Sequence, residues 1–175
     1  MMRLRRPVLA LMFLLSLFAC KREKRLRVQT EEEPPRLAMM LSMADPRAKT
    51  QLVSGFYSLE NNAWRWTSGK FTVTLRPPRG AETKGAYLKL KFNLPEVVIN
   101  PLKKVSLSAT VNGTALSPES YTQPGEYTYT REVPAKEFTG DSVKVEFKLD
   151  KTLPPQGSDK RELGLIATMV GFEGE

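Results

Sequence analysis

Four stretches of this chain alternate apolar and polar residues with a period of two. Phe71, Val73 and Leu75 alternate with Thr72, Thr74 and Arg76. Ala86, Leu88, Leu90 and Phe92 alternate with Tyr87, Lys89 and Lys91. Val105, Leu107, Ala109 and Val111 alternate with Ser106, Ser108 and Thr110, and Val143, Val145, Phe147 and Leu149 with Lys144, Glu146 and Lys148. Successive side chains of a strand point to opposite faces, so each run has one face for a core and one for water. Antiparallel sheets covering a single core have this pattern.

Further strands are expected over Gln51–Tyr57, Ala63–Thr67 and Gly125–Val133. Leu163 to Phe172 is apolar on both parities, which predicts a central strand or one covered on both faces. Asn112-Gly113, between Val111 and Thr114, is a hairpin turn signal. About eight strands in residues 51–175 predict an all-β fold, a β-sandwich of jelly-roll type. The first strand, near Leu52, and the last, near Ile166, are expected side by side, because domain termini are often close.

The region before residue 51 has a different character. Arg3, Arg5 and Arg6 precede an apolar run from Pro7 to Ala19, which ends at the single cysteine, Cys20. Basic start, short apolar stretch and small residue make a secretory signal peptide. The run is shorter than the roughly 20 apolar residues that span a bilayer. Leu17-Phe18-Ala19-Cys20 resembles the lipobox of bacterial lipoproteins, which implies lipidation of Cys20 and a cell-envelope location, periplasmic or at the outer surface. An ordinary cleaved signal and an uncleaved hydrophobic N-terminus are the other readings. The expected organisation is signal peptide 1–19, lipidated cysteine and charged linker 20–50, and sandwich 51–175. Within the linker, Leu37, Met39, Met40, Leu41 and Met43 predict a short helix over 36–43 that stops near Asp45-Pro46.

Charge narrows the partners. Of the formal net charge of +8, residues 1–50 carry +6 and residues 51–175 only +2. The folded part has no domain-wide basic footprint, so nucleic acid is not an expected partner. The basic flank Lys21 to Arg27 suits anionic headgroups, at about 1 kcal/mol per basic residue near the surface. With no histidine and one cysteine, histidine-based nucleophile activation, histidine-ligated zinc and intrachain disulfides are excluded. No phosphate loop or EF-hand pattern is present, so no cofactor is expected. Paired carboxylates for glycoside hydrolysis stay formally open, with solvated surface charge as the plainer reading.

Residues 55–71 bring Gly55-Phe56-Tyr57, Glu60 and Arg65-Trp66-Thr67 together, and Asp159, Arg161, Leu163 and Gly164 precede the last strand. This order resembles a jelly-roll, galactose-binding-like module of the kind found beside bacterial glycosyltransferases and in envelope proteins. The resemblance covers roughly residues 52–173 and implies a carbohydrate-associated, non-enzymatic role. Trp64 and Trp66 share a strand face, with Arg65 on the other. They are either sugar-stacking platforms served by Glu60 and Arg65, or core indoles above a Glu60–Arg65 ion pair. Tyr127 and Tyr129 also share a face among polar neighbours, as an exposed platform or as cross-strand packing. Asp159 and Arg161 are either ligand-binding or a charge pair at the entry to the last strand. The leading expectation is a non-catalytic, lipid-anchored envelope protein whose sandwich binds a glycan or envelope component. The alternative is a structural or assembly protein that docks to a membrane or secretion complex through protein contacts.

Overall fold

A computed structural model describes residues 36–174. Cys20, the signal segment and the basic flank lie outside the described residues. Ten strands follow one another: β1 (Met40–Ser42), β2 (Leu52–Glu60), β3 (Trp64–Leu75), β4 (Ala86–Leu94), β5 (Val105–Val111), β6 (Thr114–Ala115), β7 (Glu119–Tyr121), β8 (Gly125–Val133), β9 (Val143–Leu149) and β10 (Ile166–Gly174). Two short helices, α1 (Ala81–Lys84) and α2 (Glu96–Leu102), flank β4. No described helix is long and apolar enough to cross a membrane.

Every strand pair is antiparallel, and the order β6-β5-β9-β3-β10-β4-β8 forms one curled sheet folded into the two layers of a β-sandwich. β3 makes the fold. Its residues 70–75 pair with β9, whereas Arg65 and Trp66 pair with β10, so one strand serves both layers. β2 runs along the other side of β3 with three register shifts. The alternating residues face inward as their pattern requires. Phe71, Val73, Leu75, Leu88, Leu90, Leu107, Val111, Val143 and Val145 are fully buried. Phe71 stacks on Phe147 at 4.9 Å, and the Tyr129 ring of the other layer meets Phe147 edge-on at 6.5 Å.

The turn chemistry is local. Asn112 and Gly113 both adopt positive φ, 47° and 93°, as a type I′ hairpin needs. Asn61 and Asn62 do the same at 51° and 52° and turn β2 into β3. β10 lies between β4 on one side and β3 and β1 on the other, and a bulge between Ala167 and Met169 moves its buried residues from Ala167 to Val170 and Phe172, which accounts for apolar residues on both parities.

Three expectations are corrected. Residues 36–43 do not form a helix. Met40–Ser42 are the strand β1, in register with Gly171, Val170 and Met169 of β10. Leu41 and Met43, two apart, are buried together, so the period is two and not 3.6. The buried Gln51 side chain fastens the segment: it accepts from the Ala38 N–H at 2.7 Å and donates to the Ala38 and Thr74 carbonyls at 3.1 and 2.7 Å. The folded domain therefore includes residues before 51. Second, Ala63–Thr67 and Phe71–Arg76 are one continuous strand, β3. Third, Leu52 and Ile166 are not neighbours, because β3 lies between β2 and β10 and it is β1 that joins the last strand.

Candidate functional site

Three of the residues singled out in the sequence meet at the end of β2. Arg161 Nη1 donates to Glu60 Oε1 at 2.7 Å, and its Nη2 and Nε donate to Asp159 at 2.9 and 3.0 Å. The Asp159 carboxylate also caps the Arg161 backbone N–H at 2.9 Å. The guanidinium lies 5.4 Å from the centre of the Tyr57 ring, and the Tyr57 hydroxyl donates to the Glu162 carbonyl at 2.8 Å. Hydrogen bonds from Arg161 hold the Asp159 carboxyl down at about 2. One cation thus binds two carboxylates, and the cluster ties the segment before β10 to β2.

The expected Glu60–Arg65 ion pair is absent, for a reason of register. Glu60 lies opposite Trp64 and Leu59 opposite Arg65, so Glu60 and Arg65 alternate to different faces. Arg65 instead donates from Nη1 to the Tyr57 carbonyl at 3.1 Å, and its Nε is buried with no hydrogen-bond partner among the described residues. Tyr57 was not singled out in the sequence as a member of this cluster. Its place in the Gly55-Phe56-Tyr57 run was the only signal.

The aromatic pairs lie as follows. Trp66 is 8% exposed, and Trp64 is half-buried against the core. Tyr129 is fully buried, its hydroxyl donating to the Ser117 carbonyl at 2.9 Å, with the Arg131 guanidinium 4.5 Å from its ring centre. Tyr127 is half-buried, donates to the Gln123 carbonyl at 2.9 Å, and packs 5.7 Å from Phe92 and 4.6 Å from Tyr121. Tyr127 and Tyr129 therefore form no exposed platform. They point inward because Tyr127 is opposite Phe92 and Tyr129 opposite Leu90, both core residues. Tyr121, on the short β7, completes this aromatic group. Its hydroxyl is buried without a hydrogen-bond partner among the described residues, and burial, reinforced by the nearby Glu119 charge, pushes its pKa up.

The outer face of the β8-β4-β10 layer carries a depression. The register sets Thr128 beside Lys91 and Glu126 beside Asn93. Asn93 lies opposite Ile166, which lies opposite Trp66, so Glu126, Asn93, Ile166 and Trp66 form one row across four strands on the same face. Lys91, Asn93, Glu126, Thr128 and Thr168 line a groove of about 360 Å³, with Phe92 and Tyr127 between them. Thr168 is there because of a bulge: the β10–β4 register shifts between Ala167 and Met169, and the Thr168 hydroxyl donates to the Lys91 carbonyl at 3.1 Å. Neither Lys91 nor Glu126 has an ion-pair partner among the described residues, unlike Lys89, which pairs with Glu173. The sequence pattern put Lys91 on the polar side of β4. It held no signal for the strands that would flank it.

Among the described residues, no three histidine, cysteine or acidic side chains are placed to hold a metal ion. No family model and no curated protein sequence matches the chain. Several solved structures are similar in shape. The CBM36-1 domain of a multidomain xylanase from the hindgut metagenome of Trinervitermes trinervoides is 11% identical, with 78% of this chain and 96% of that one covered at a TM-score of 0.42. A mannan-recognising carbohydrate-binding module is 11% identical, with 79% and 98% covered at a TM-score of 0.44. An acetyl xylan esterase from Butyrivibrio proteoclasticus is 10% identical, with 79% of this chain and 34% of the esterase covered at a TM-score of 0.45.

Proposed function

We propose that this domain is a non-catalytic binding module for a glycan of the cell envelope, with its ligand in the groove on β4, β8 and β10. The observation that carries this reading is the polar, uncommitted lining of that groove. Lys91 and Glu126 face solvent without ion-pair partners among the described residues, beside the amide of Asn93 and the hydroxyls of Thr128 and Thr168. A sugar offers hydroxyls that donate and accept at short intervals, and this set supplies both kinds of group. The groove volume falls at the lower end of the range for small-ligand sites, about 300–1,000 Å³.

The Glu60 and Asp159 carboxylates are unsuited to act as a hydrolytic pair. A glycosidase needs one carboxyl with a raised pKa as acid. Asp159 is shifted the other way, and Glu60 shares its guanidinium. Docking of a protein strand to β2 is disfavoured by the three register shifts along that edge, since bulges blunt edge pairing.

We extend the proposal to attachment: Cys20 is lipidated and holds the domain at a membrane surface of the envelope, with the basic flank against anionic headgroups. Metabolic palmitate labelling of wild type and Cys20→Ser decides this part; an unlabelled wild-type protein overturns it. A glycan array probed with the full chain tests the groove. Lys91→Ala and Glu126→Gln are expected to lose the bound glycans while melting at the wild-type temperature. Retained binding in both variants overturns the assignment.

A further inference from the structure

We propose a second site, on the outer face of the other layer, that binds the carboxylates of an acidic, uronate-bearing polysaccharide through Lys70, Lys148 and Lys151. The register places Lys70 of β3 directly opposite Lys148 of β9, both side chains exposed. Like charges directly opposite on one sheet face are unfavourable. The sheet does not relieve them. The nearest acid along β9, Glu146, is engaged by Lys144 at 2.8 Å. Lys70, Lys148 and Lys151 have no carboxylate within ion-pairing distance among the described residues.

A depression of about 260 Å³ adjoins this pair, lined by Gly69, Lys70, Lys151, Thr152 and Glu162 among others. Gly69 keeps it open, since a Cβ there would stand 2.9 Å from Glu162 Oε1 and 3.0 Å from Thr152 Cγ2. The Thr152 hydroxyl donates to Glu162 Oε1 at 2.6 Å, which steadies the carboxylate and leaves its second oxygen as an acceptor. Ammonium groups for an oxyanion stand beside a carboxylate for hydroxyl donors, and a uronic acid presents both. Asp150 also lines the depression, its carboxylate accepting from the Ser106 N–H at 2.6 Å, and a flat layer of anionic headgroups meets only the lysines of this set. The site shares no residue with the β4-β8-β10 groove, so either can fail alone.

Calorimetric titration of the full chain with polygalacturonate, and with dextran as the neutral polymer, tests the proposal. Wild type binds polygalacturonate more tightly than dextran, and less tightly as salt is raised. Lys70→Gln/Lys148→Gln weakens this binding roughly tenfold, the equivalent of two exposed charge contacts. Its Tm is no lower than wild type, because the repulsion is relieved. Lys104→Gln, outside the site, leaves binding unchanged. Four results overturn the assignment: equal binding to dextran, unchanged affinity in the double lysine variant, loss of polygalacturonate binding in Lys91→Ala/Glu126→Gln, or lysine-dependent retention on phosphatidylglycerol vesicles that exceeds retention on the polymer.

Discussion

Arg161 reaches across 101 residues of sequence to place its guanidinium 2.7 Å from the carboxylate of Glu60. With Asp159 on its other edge, it fixes the long segment between β9 and β10 to the tip of β2. The acid limb of the stability profile follows from this. Asp159 titrates at about 2 in the folded protein, against about 3.9 in an unfolded chain. A carboxyl with a lowered pKa stabilises the fold above its unfolded value, and this contribution is lost as pH falls from about 4 towards 2. In Asp159→Asn the fall of Tm over that window is expected to be shallower than in wild type. An identical slope in the two proteins would show that the carboxylate is uncoupled from folding.

Trp66 and Trp64 are expected to behave differently although they share a strand face. Trp66 is nearly buried, so Trp66→Ala costs about 3–5 kcal/mol, as for other large-to-small core changes. Trp64 is half-buried, and Trp64→Ala costs about 1–3 kcal/mol. Thermal melts of the two variants give the comparison, and equal Tm losses count against the burial difference.

Two tyrosine hydroxyls provide a matched contrast. The Tyr129 hydroxyl donates to the Ser117 carbonyl at 2.9 Å, so Tyr129→Phe is expected to cost about 0.5–1.5 kcal/mol. The Tyr121 hydroxyl is buried without a hydrogen-bond partner among the described residues. Its removal in Tyr121→Phe is expected to leave Tm unchanged or to raise it, since an unsatisfied buried polar group is itself unfavourable. A Tm loss in Tyr121→Phe as large as in Tyr129→Phe refutes the contrast.

The strand β1 is a working part of the domain. Gly171 lies opposite Met40, and a Cβ there would stand 2.6 Å from the Met39 carbonyl and the Met40 Cα. Both atoms are backbone, so Gly171→Ala must push β1 away. The expected result is a Tm loss close to that of a variant lacking residues 36–43, with no further loss when the two changes are combined. Additive losses would show that Gly171 acts elsewhere.

The strands were legible because alternation is a local property: a residue's face follows from its own position in the pleat. Gly125–Val133 and the Asn112-Gly113 hairpin match the chain reading for this reason. β1 was misread because Leu37, Met39, Met40, Leu41 and Met43 fit either period over so short a window, and only pairing with β10 selects one. Glu60, Asp159 and Arg161 were legible as separate charges, but which cation Glu60 meets depends on the register of β2 against β3. For the tyrosine pair the sequence leaves platform and packing open, because Thr128, Thr130 and Arg131 make its strand look polar on both sides, and the register against Phe92 and Leu90 selects packing. The β4-β8-β10 groove needs three strands from distant parts of the chain and a bulge at Thr168, none of which alternation announces.

β3 is hydrogen-bonded into both layers, through Arg65 and Trp66 to β10 and through residues 70–75 to β9. The layers therefore cannot part like the halves of a shell, because the same backbone would have to break its ladders on both sides. Amide hydrogens in the middle of this strand are expected to exchange with solvent through the larger openings of the domain, as hydrogen-exchange measurements would show. The two proposed sites stand differently to this strand: the β4-β8-β10 groove is lined by no residue of β3, whereas the second site takes Gly69 and Lys70 from β3 itself. A ligand in the first can adjust its surface without disturbing the strand that joins the layers, and a ligand in the second rests on that strand.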